Sequence, residues 1–247
     1  MLLLKLLCLA ALGQCELPSP TNVTIISLNL EHVLKWDPGP GSPTGTQYRV
    51  EYLHFHKNWS PVKMCLKITS PGECDLTEEF RDIFKSYVAR VQAFTELEQS
   101  TWSKSSFFQP ISNTILGPPE VTVSGCGDCL HLQVKPPKGK RMDHFLAYYE
   151  SEYICEVLSA TDGRKFTLRI SGQRVIEYLK PATEYCVTVK MYIGINQHAI
   201  LSNPHCVFTS LPHLNKVPVV LGLFCLVFLL SVMVWGFLFY GYILRSL

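Results

Sequence analysis

The chain has 247 residues, 47% of them hydrophobic, with 22 basic and 20 acidic side chains and a formal net charge of +2. That length holds one large domain or two of about 100 residues each. The near balance of charge excludes binding of nucleic acid or heparin by bulk electrostatics, which needs a basic patch.

The first segment, MLLLKLLCLAALGQC, is apolar with an early Lys5 and small residues at Ala11 and Gly13. It reads as a secretory signal peptide over 1–15, too short for a comfortable membrane span, and cleavage after Gly13 or after Cys15 fits the small-residue rule about equally. From Leu17 to about Gln109 short β-rich runs lie between Pro and Gly turns: NVTIISLN, HVLKWD, QYRVEYLHF, SYVARVQAF and WSKSSFF. This spacing is that of an all-β sandwich. The stretch from Ser112 to Pro119 interrupts it, and its two prolines make a stiff connector because neither can sit in a central strand. The second half repeats the plan with VTVSG, CLHLQV, FLAYYESEYICEV, KFTLRI, YCVTVKMYI and CVFT. No helical periodicity appears outside the C-terminal apolar run. A Tyr entering a late strand after a Pro-containing turn, Leu179-Lys-Pro-Ala-Thr-Glu-Tyr185-Cys186, has the form of the tyrosine corner of immunoglobulin-like sandwiches, and Tyr87 is the equivalent in the first half.

The run from Val217 to Leu244 carries no charged residue and is long enough to span a bilayer with some tilt. Trp235, Tyr240 and Tyr242 suit an interfacial aromatic belt, and Arg245 follows on the inner side. A GPI-attachment signal is the rival, but it wants small residues at the attachment site and a shorter tail, whereas Leu211 and Pro212 follow Ser210 here. The sequence therefore predicts an all-β chain of two tandem fibronectin type III-like sandwiches followed by a single transmembrane helix. The expected boundaries are a signal peptide at 1–15, sandwiches at 16–112 and 119–211, a linker at 113–118, a stalk at 212–216, a membrane helix at 217–244 and a cytoplasmic stub at 245–247. Setting aside Lys5 and Arg245 leaves an ectodomain with 20 basic and 20 acidic residues, neutral overall.

Ten cysteines in a secreted chain imply disulfides. Cys8 falls in the signal peptide and Cys225 in the membrane run. Cys65 and Cys74, and Cys186 and Cys206, form candidate pairs that each close a loop within one half. Cys126, Cys129 and Cys155 remain, with their pairing open and Cys15 dependent on the cleavage point. Asn22-Val-Thr and Asn58-Trp-Ser are glycosylation sequons, the second followed by Pro61.

Four ordered motifs resemble the class II cytokine receptor family. LPSPTNVTIISLNLEHVLKWDPGPG is similar to its opening, with Trp36 as the buried Trp of the second strand. PGECDLTE resembles its first-domain disulfide region, TILGPPEV its interdomain linker, and LKPATEYCVTV with a later Cys206 its second-domain strand and disulfide. The linker and the first-domain segment look most like the interleukin-20 and interleukin-10 receptor chains. Tissue factor shares the two-domain plan, and a membrane cofactor for a serine protease is the alternative function.

The resemblance implies a receptor subunit that docks a helical cytokine of interleukin-10/20 or interferon type at the elbow between its sandwiches. Loops on a rigid scaffold are where such contacts are expected, and rigid aromatic side chains bury much area for little entropy. The candidate contacts are Phe55, His56 and Trp59 on the first loop, Phe80 or Phe84 on the next, and Asn196, Gln197 and His198 between the last two strands. Phe80 or Phe84 would otherwise simply fill the core. The family also implies a second, signalling receptor chain as partner and a single-pass type I location in the plasma membrane. The chain ends in GYILRSL, of which only Arg245, Ser246 and Leu247 follow the apolar run. That leaves no room for a kinase-binding segment, so an accessory chain or membrane-bound decoy is expected.

Enzyme chemistry finds no footing in the sequence. Cys126-Gly-Asp-Cys129 has redox spacing but lies between β-like segments rather than at a helix start that would lower a thiol pKa. His54 and His56 share one strand face, yet no further ligand completes a metal site. Phosphate loops, nucleophile elbows and zinc-protease motifs are missing, and no cofactor is expected.

Overall fold

The computed structural model describes residues 17–54, 57–69, 72–147, 149–210 and 217–246. The expected signal peptide, Phe55, His56 and the stalk lie outside the described residues.

Alternating burial builds the first sandwich. In β2 (Glu31–Asp37) His32, Leu34 and Trp36 point inward while Glu31, Lys35 and Asp37 face water, the period-2 pattern of a half-buried strand. β2 lies between β1 (Thr21–Leu28) and β5 (Gly72–Asp75), and the opposing sheet runs β4 (Ser60–Pro61), β3 (Gln47–His54), β6 (Tyr87–Phe94), β7 (Ser103–Lys104). β3 and β6 pair antiparallel over eight residues, from Gln47 opposite Phe94 to His54 opposite Tyr87. The core between the sheets is rich in aromatic side chains, with Trp36, Tyr48, Phe80, Tyr87 and Phe108 buried. Gly72 is required where β5 crosses Trp36: a Cβ there would stand 2.3 Å from the indole ring.

The second sandwich pairs β12 (Gln173–Ile176), β9 (Cys129–Lys135) and β8 (Glu120–Cys126) against β11 (Lys165–Ile170), β10 (Glu152–Ser159), β13 (Glu184–Tyr192) and β14 (His205–Phe208). Its core is mostly aliphatic: Leu130, Leu132, Val157, Val187 and Val189 interdigitate, with Met142 and Met191 filling the gaps. Both tyrosine corners form. The Tyr87 hydroxyl donates to the Asp82 carbonyl at 3.2 Å, and the Tyr185 hydroxyl accepts the Lys180 N–H at 3.1 Å.

Among the described residues three disulfides are formed, Cys65–Cys74, Cys126–Cys129 and Cys186–Cys206. The second closes the β8–β9 hairpin, where its two residues are direct cross-strand partners. Cys155 is a free thiol buried in the second core. Burial pushes it up to about 12, and Glu156 adds to the effect, so it is inert rather than nucleophilic.

Two short helices depart from the sequence expectation. α1 (Pro110–Asn113) starts the connector, with Pro at its first turn. α2 (Lys140–Leu146) takes Phe145 and Leu146 out of the strand expected at FLAYYESEYICEV, so β10 begins only at Glu152. The physical reason is periodicity: Met142 and Phe145, three apart, are both buried on one face of the turn. The last element, α3 (Val217–Ser246), is a 30-residue helix. Its side chains are described only over 220–236. Among the described residues no helix is long and apolar enough to cross a membrane, and the span expected at 217–244 extends beyond those side chains.

Candidate functional site

The two sandwiches meet at an elbow that is stitched from three sides. The two-residue turn between β1 and β2 holds Asn29 and Leu30 at φ of 51° and 67°, the twist that suits a tight hairpin but that a Leu rarely adopts. The reason lies in the neighbouring domain: Leu30, with Ile111 and Leu116 of the connector, is buried in the core of the second sandwich. Asn29 completes the turn. Its side-chain oxygen accepts the Gly117 N–H at 2.8 Å, and its amide donates to the Lys138 carbonyl at 3.2 Å.

Behind the turn runs a buried polar chain. The Thr114 hydroxyl, fully buried, accepts the Leu30 N–H at 3.0 Å and the Ser27 hydroxyl at 2.7 Å. Ser27 in turn meets His32 Nδ1 at 2.7 Å. Because the Ser27 proton is directed to Thr114, His32 Nδ1–H donates to Ser27, which fixes the tautomer. Burial, with the Arg141 guanidinium as a second cause, lowers the His32 pKa to about 4, so the ring is neutral at pH 7. From the other side Asn196 donates to the carbonyls of Ile111 and Thr114, both at 2.9 Å.

In front of this hinge lies a hollow of about 290 Å³ between the β5–β6 loop and α2. Leu30, His32, Phe80, Ile83, Phe84, Phe145 and Tyr149 line it, with Arg141 and His144 at the rim. Arg141 pairs with Glu78 at 2.5 Å, tying α2 to the first sandwich. Phe84 is 52% and Tyr149 43% exposed. Their rings meet edge to face at 6.0 Å, and Tyr149 stacks on Phe145 at 4.7 Å. A second, polar hollow of about 460 Å³ adjoins it, with His54, Lys57, Glu79, Arg81, Asp82 and Lys85 on its walls. A hydrogen bond from Lys85 holds the Asp82 carboxyl below its ordinary value.

The sequence-derived contact residues divide. Phe84, Gln197 and His198 are exposed at the elbow. Phe80 is fully buried, stacked on Tyr87 at 4.2 Å. It belongs to the first core and forms part of the floor of the hollow rather than an exposed anchor. Trp59 is not a free loop tip: its ring lies 4.0 Å from the Arg90 guanidinium, which is sandwiched against Trp102 on the other side at 4.1 Å and ion-paired with Glu51. Asn196, expected on the surface, is 7% exposed because its amide is consumed by the connector. Phe55 and His56 are outside the described residues. Tyr149, Phe145 and Arg141 escaped the sequence reading, although Met142, Phe145, Leu146 and Tyr149 stand at i, i+3, i+4 and i+7, a helical signal read there as strand. Among the described residues no group of three or more His, Cys, Asp or Glu side chains is placed to hold a metal ion.

Residues 1–102 match the family described as Tissue factor, and residues 114–210 match Interferon-alpha/beta receptor, fibronectin type III. The chain is 44% identical over 230 residues to interferon alpha/beta receptor 2 of Oncorhynchus mykiss, covering 91% of this chain and 85% of the relative. It is 31% identical over 243 residues to interleukin-20 receptor subunit alpha of Mus musculus, covering 93% of this chain but 44% of that relative. Among solved structures the chicken interferon gamma receptor alpha chain superposes with a TM-score of 0.69 at 23% identity, over 79% of this chain and 100% of that one, which establishes the two-sandwich fold. With both halves matched in order and the identity sustained across nearly the whole length, the chain belongs to the class II cytokine receptor family.

Proposed function

We propose that the chain is a receptor subunit that binds a helical cytokine of interferon or interleukin-10/20 type at the elbow, and that it acts with a second, signalling receptor chain. The observation that carries this reading is the cluster of Phe84, Tyr149 and Phe145 beside the elbow hollow. Partly exposed aromatic side chains around a concave apolar patch, next to a charged one, make the anchor-and-rim arrangement of a protein interface. The stitched hinge supports it, since anchors on two domains bind as one surface only if the domains hold a fixed angle.

Anchorage in the plasma membrane, N-terminus outside, is the companion proposal. It is supported by the 30-residue length of α3 and by the absence of charge from Val217 to Leu244.

The test is a binding screen of the full chain, reconstituted in lipid nanodiscs, against interferon-type and interleukin-10/20-type cytokines, with and without candidate partner chains. Phe84→Ala and Tyr149→Ala should each weaken the interaction by about tenfold or more. Binding to none of these ligands would overturn the proposal. The tissue-factor match of the first half gives the screen a control: tight binding to a serine protease instead would favour a cofactor role.

A further inference from the structure

The end of the second sandwich opposite the elbow is assembled from segments distant in sequence. The Leu179 N–H donates to the Asp128 carbonyl of the β8–β9 turn, the Thr209 hydroxyl donates to the Lys180 carbonyl, and the Lys180 ammonium reaches Asp162 of the β10–β11 turn. The described ectodomain leaves from this same end, at Ser210.

Two features there face outward. Tyr178 is 91% exposed, and its backbone sits at a φ of 61°, a conformation a bulky residue keeps only where its surroundings impose it. The ring is thrust outward from a position that an Asn or Gly would fill without strain. Beside it, Arg164 and Lys180 share one Asp162 carboxylate oxygen, at 2.7 and 2.9 Å. The two cations share one anion and both side chains are more than half exposed, while Asp128, Glu177 and Glu184 supply further charges at this end.

We propose that this end is a bilayer-contact surface, with Tyr178 seated among the headgroups and Arg164 and Lys180 facing lipid phosphate. The proposal rests on the membrane anchorage proposed above. Reach selects the occupant: Leu211 to Lys216 separate Ser210 from the start of α3, and six residues span at most about 20 Å even when fully extended. An anchored α3 therefore keeps Ser210 within about 20 Å of the membrane, a tether short enough for this face to settle on the headgroups, where a Tyr ring is at home and basic side chains meet phosphate. The contact would fix how the elbow is presented above the cell surface.

Amide hydrogen exchange on the full chain, in phosphatidylcholine nanodiscs with and without phosphatidylserine and in detergent micelles, tests this directly. Segment 175–183 should exchange about threefold or more slowly in nanodiscs than in micelles, more so with phosphatidylserine, and Tyr178→Asn, which keeps the backbone conformation, should abolish the slowing. Equal rates in nanodiscs and micelles, with 217–246 protected in the nanodisc, overturn the proposal while leaving the anchor intact. Slowing that survives Tyr178→Asn overturns it as well, and slowing indifferent to phosphatidylserine overturns a role for net anionic headgroup charge at Arg164 and Lys180. An unprotected 217–246 defeats the anchor itself and this surface with it.

Discussion

The two sandwiches share a strand plan and a tyrosine corner but reach stability by different means. The first packs rings: Phe80 lies within 6.1 Å of His32, Tyr52, Tyr87 and Phe108, and its disulfide is buried, with both cysteines 3% exposed. The second packs branched aliphatic chains around a buried free thiol, and its Cys186–Cys206 bond joins directly opposed residues of β13 and β14, with Cys206 exposed. Large rings fill a core with few, irreplaceable pieces, whereas many small chains share the load. The first sandwich should therefore be the brittle one.

Phe80→Ala is the most severe way to break this contrast. It should cost about 3–5 kcal/mol, read as a lowered first transition in denaturant unfolding of the full chain, since two domains need not melt as one. Phe84→Ala, four residues on, should leave that transition unchanged and alter only ligand binding. Replacing both members of Cys65–Cys74 by Ala should cost about 4 kcal/mol, loop entropy plus a buried void. For Cys186–Cys206 the loss should be about 3 kcal/mol, loop entropy alone. If the exposed bond proves the more costly, the contrast fails.

Acid should separate the two domains further. Of the histidines, His32 is the buried one among the described residues, and it is in the first sandwich. Its folded pKa, about 4, lies below the unfolded 6.5, so as pH falls the unfolded chain takes the proton first. The stability held by the neutral ring is complete above about pH 6.5 and drains away toward pH 4, about 3 kcal/mol in all. Thermal melts across that window should show the first transition dropping more than the second, and His32→Gln should flatten the difference. Asn196→Ala should cost about 2 kcal/mol, because two buried carbonyls lose their donor, and it should raise exchange at Thr114. The mildest effect is expected at the corners: Tyr87→Phe and Tyr185→Phe should each lose about 1 kcal/mol from their own transition.

Much of this was legible because strands announce themselves by alternation. HVLKWD could hardly be anything but β2, and the Pro-Ala-Thr-Glu-Tyr185 signature located a corner that the hydrogen bond to Lys180 completes. The site was less legible, for reasons of direction rather than composition. Phe80 and Phe84 are the same residue type four apart in an irregular loop, where no period says which points inward. Asn196 looked like a solvent residue because its partners, Ile111 and Thr114, lie more than eighty positions away. Tyr149 was hidden by its own neighbours: Tyr and Ile around it have strong strand preference, and the short helix that presents it is held by tertiary contact against that preference.

The Asn29–Leu30 turn also bears on how the molecule is made. A chain emerging from the ribosome exposes the whole first sandwich before the second has emerged, and domains generally fold as they appear. Leu30 is then held outward in a fixed left-handed backbone with no partner, flanked by Ile111 and Leu116 of the connector. On that order of events the later core should condense around a preset apolar seed rather than form alone and dock afterward. A second sandwich produced without residues 17–116 would lack that seed and should fold poorly, so the boundary between the two units is one of architecture and not of biosynthesis.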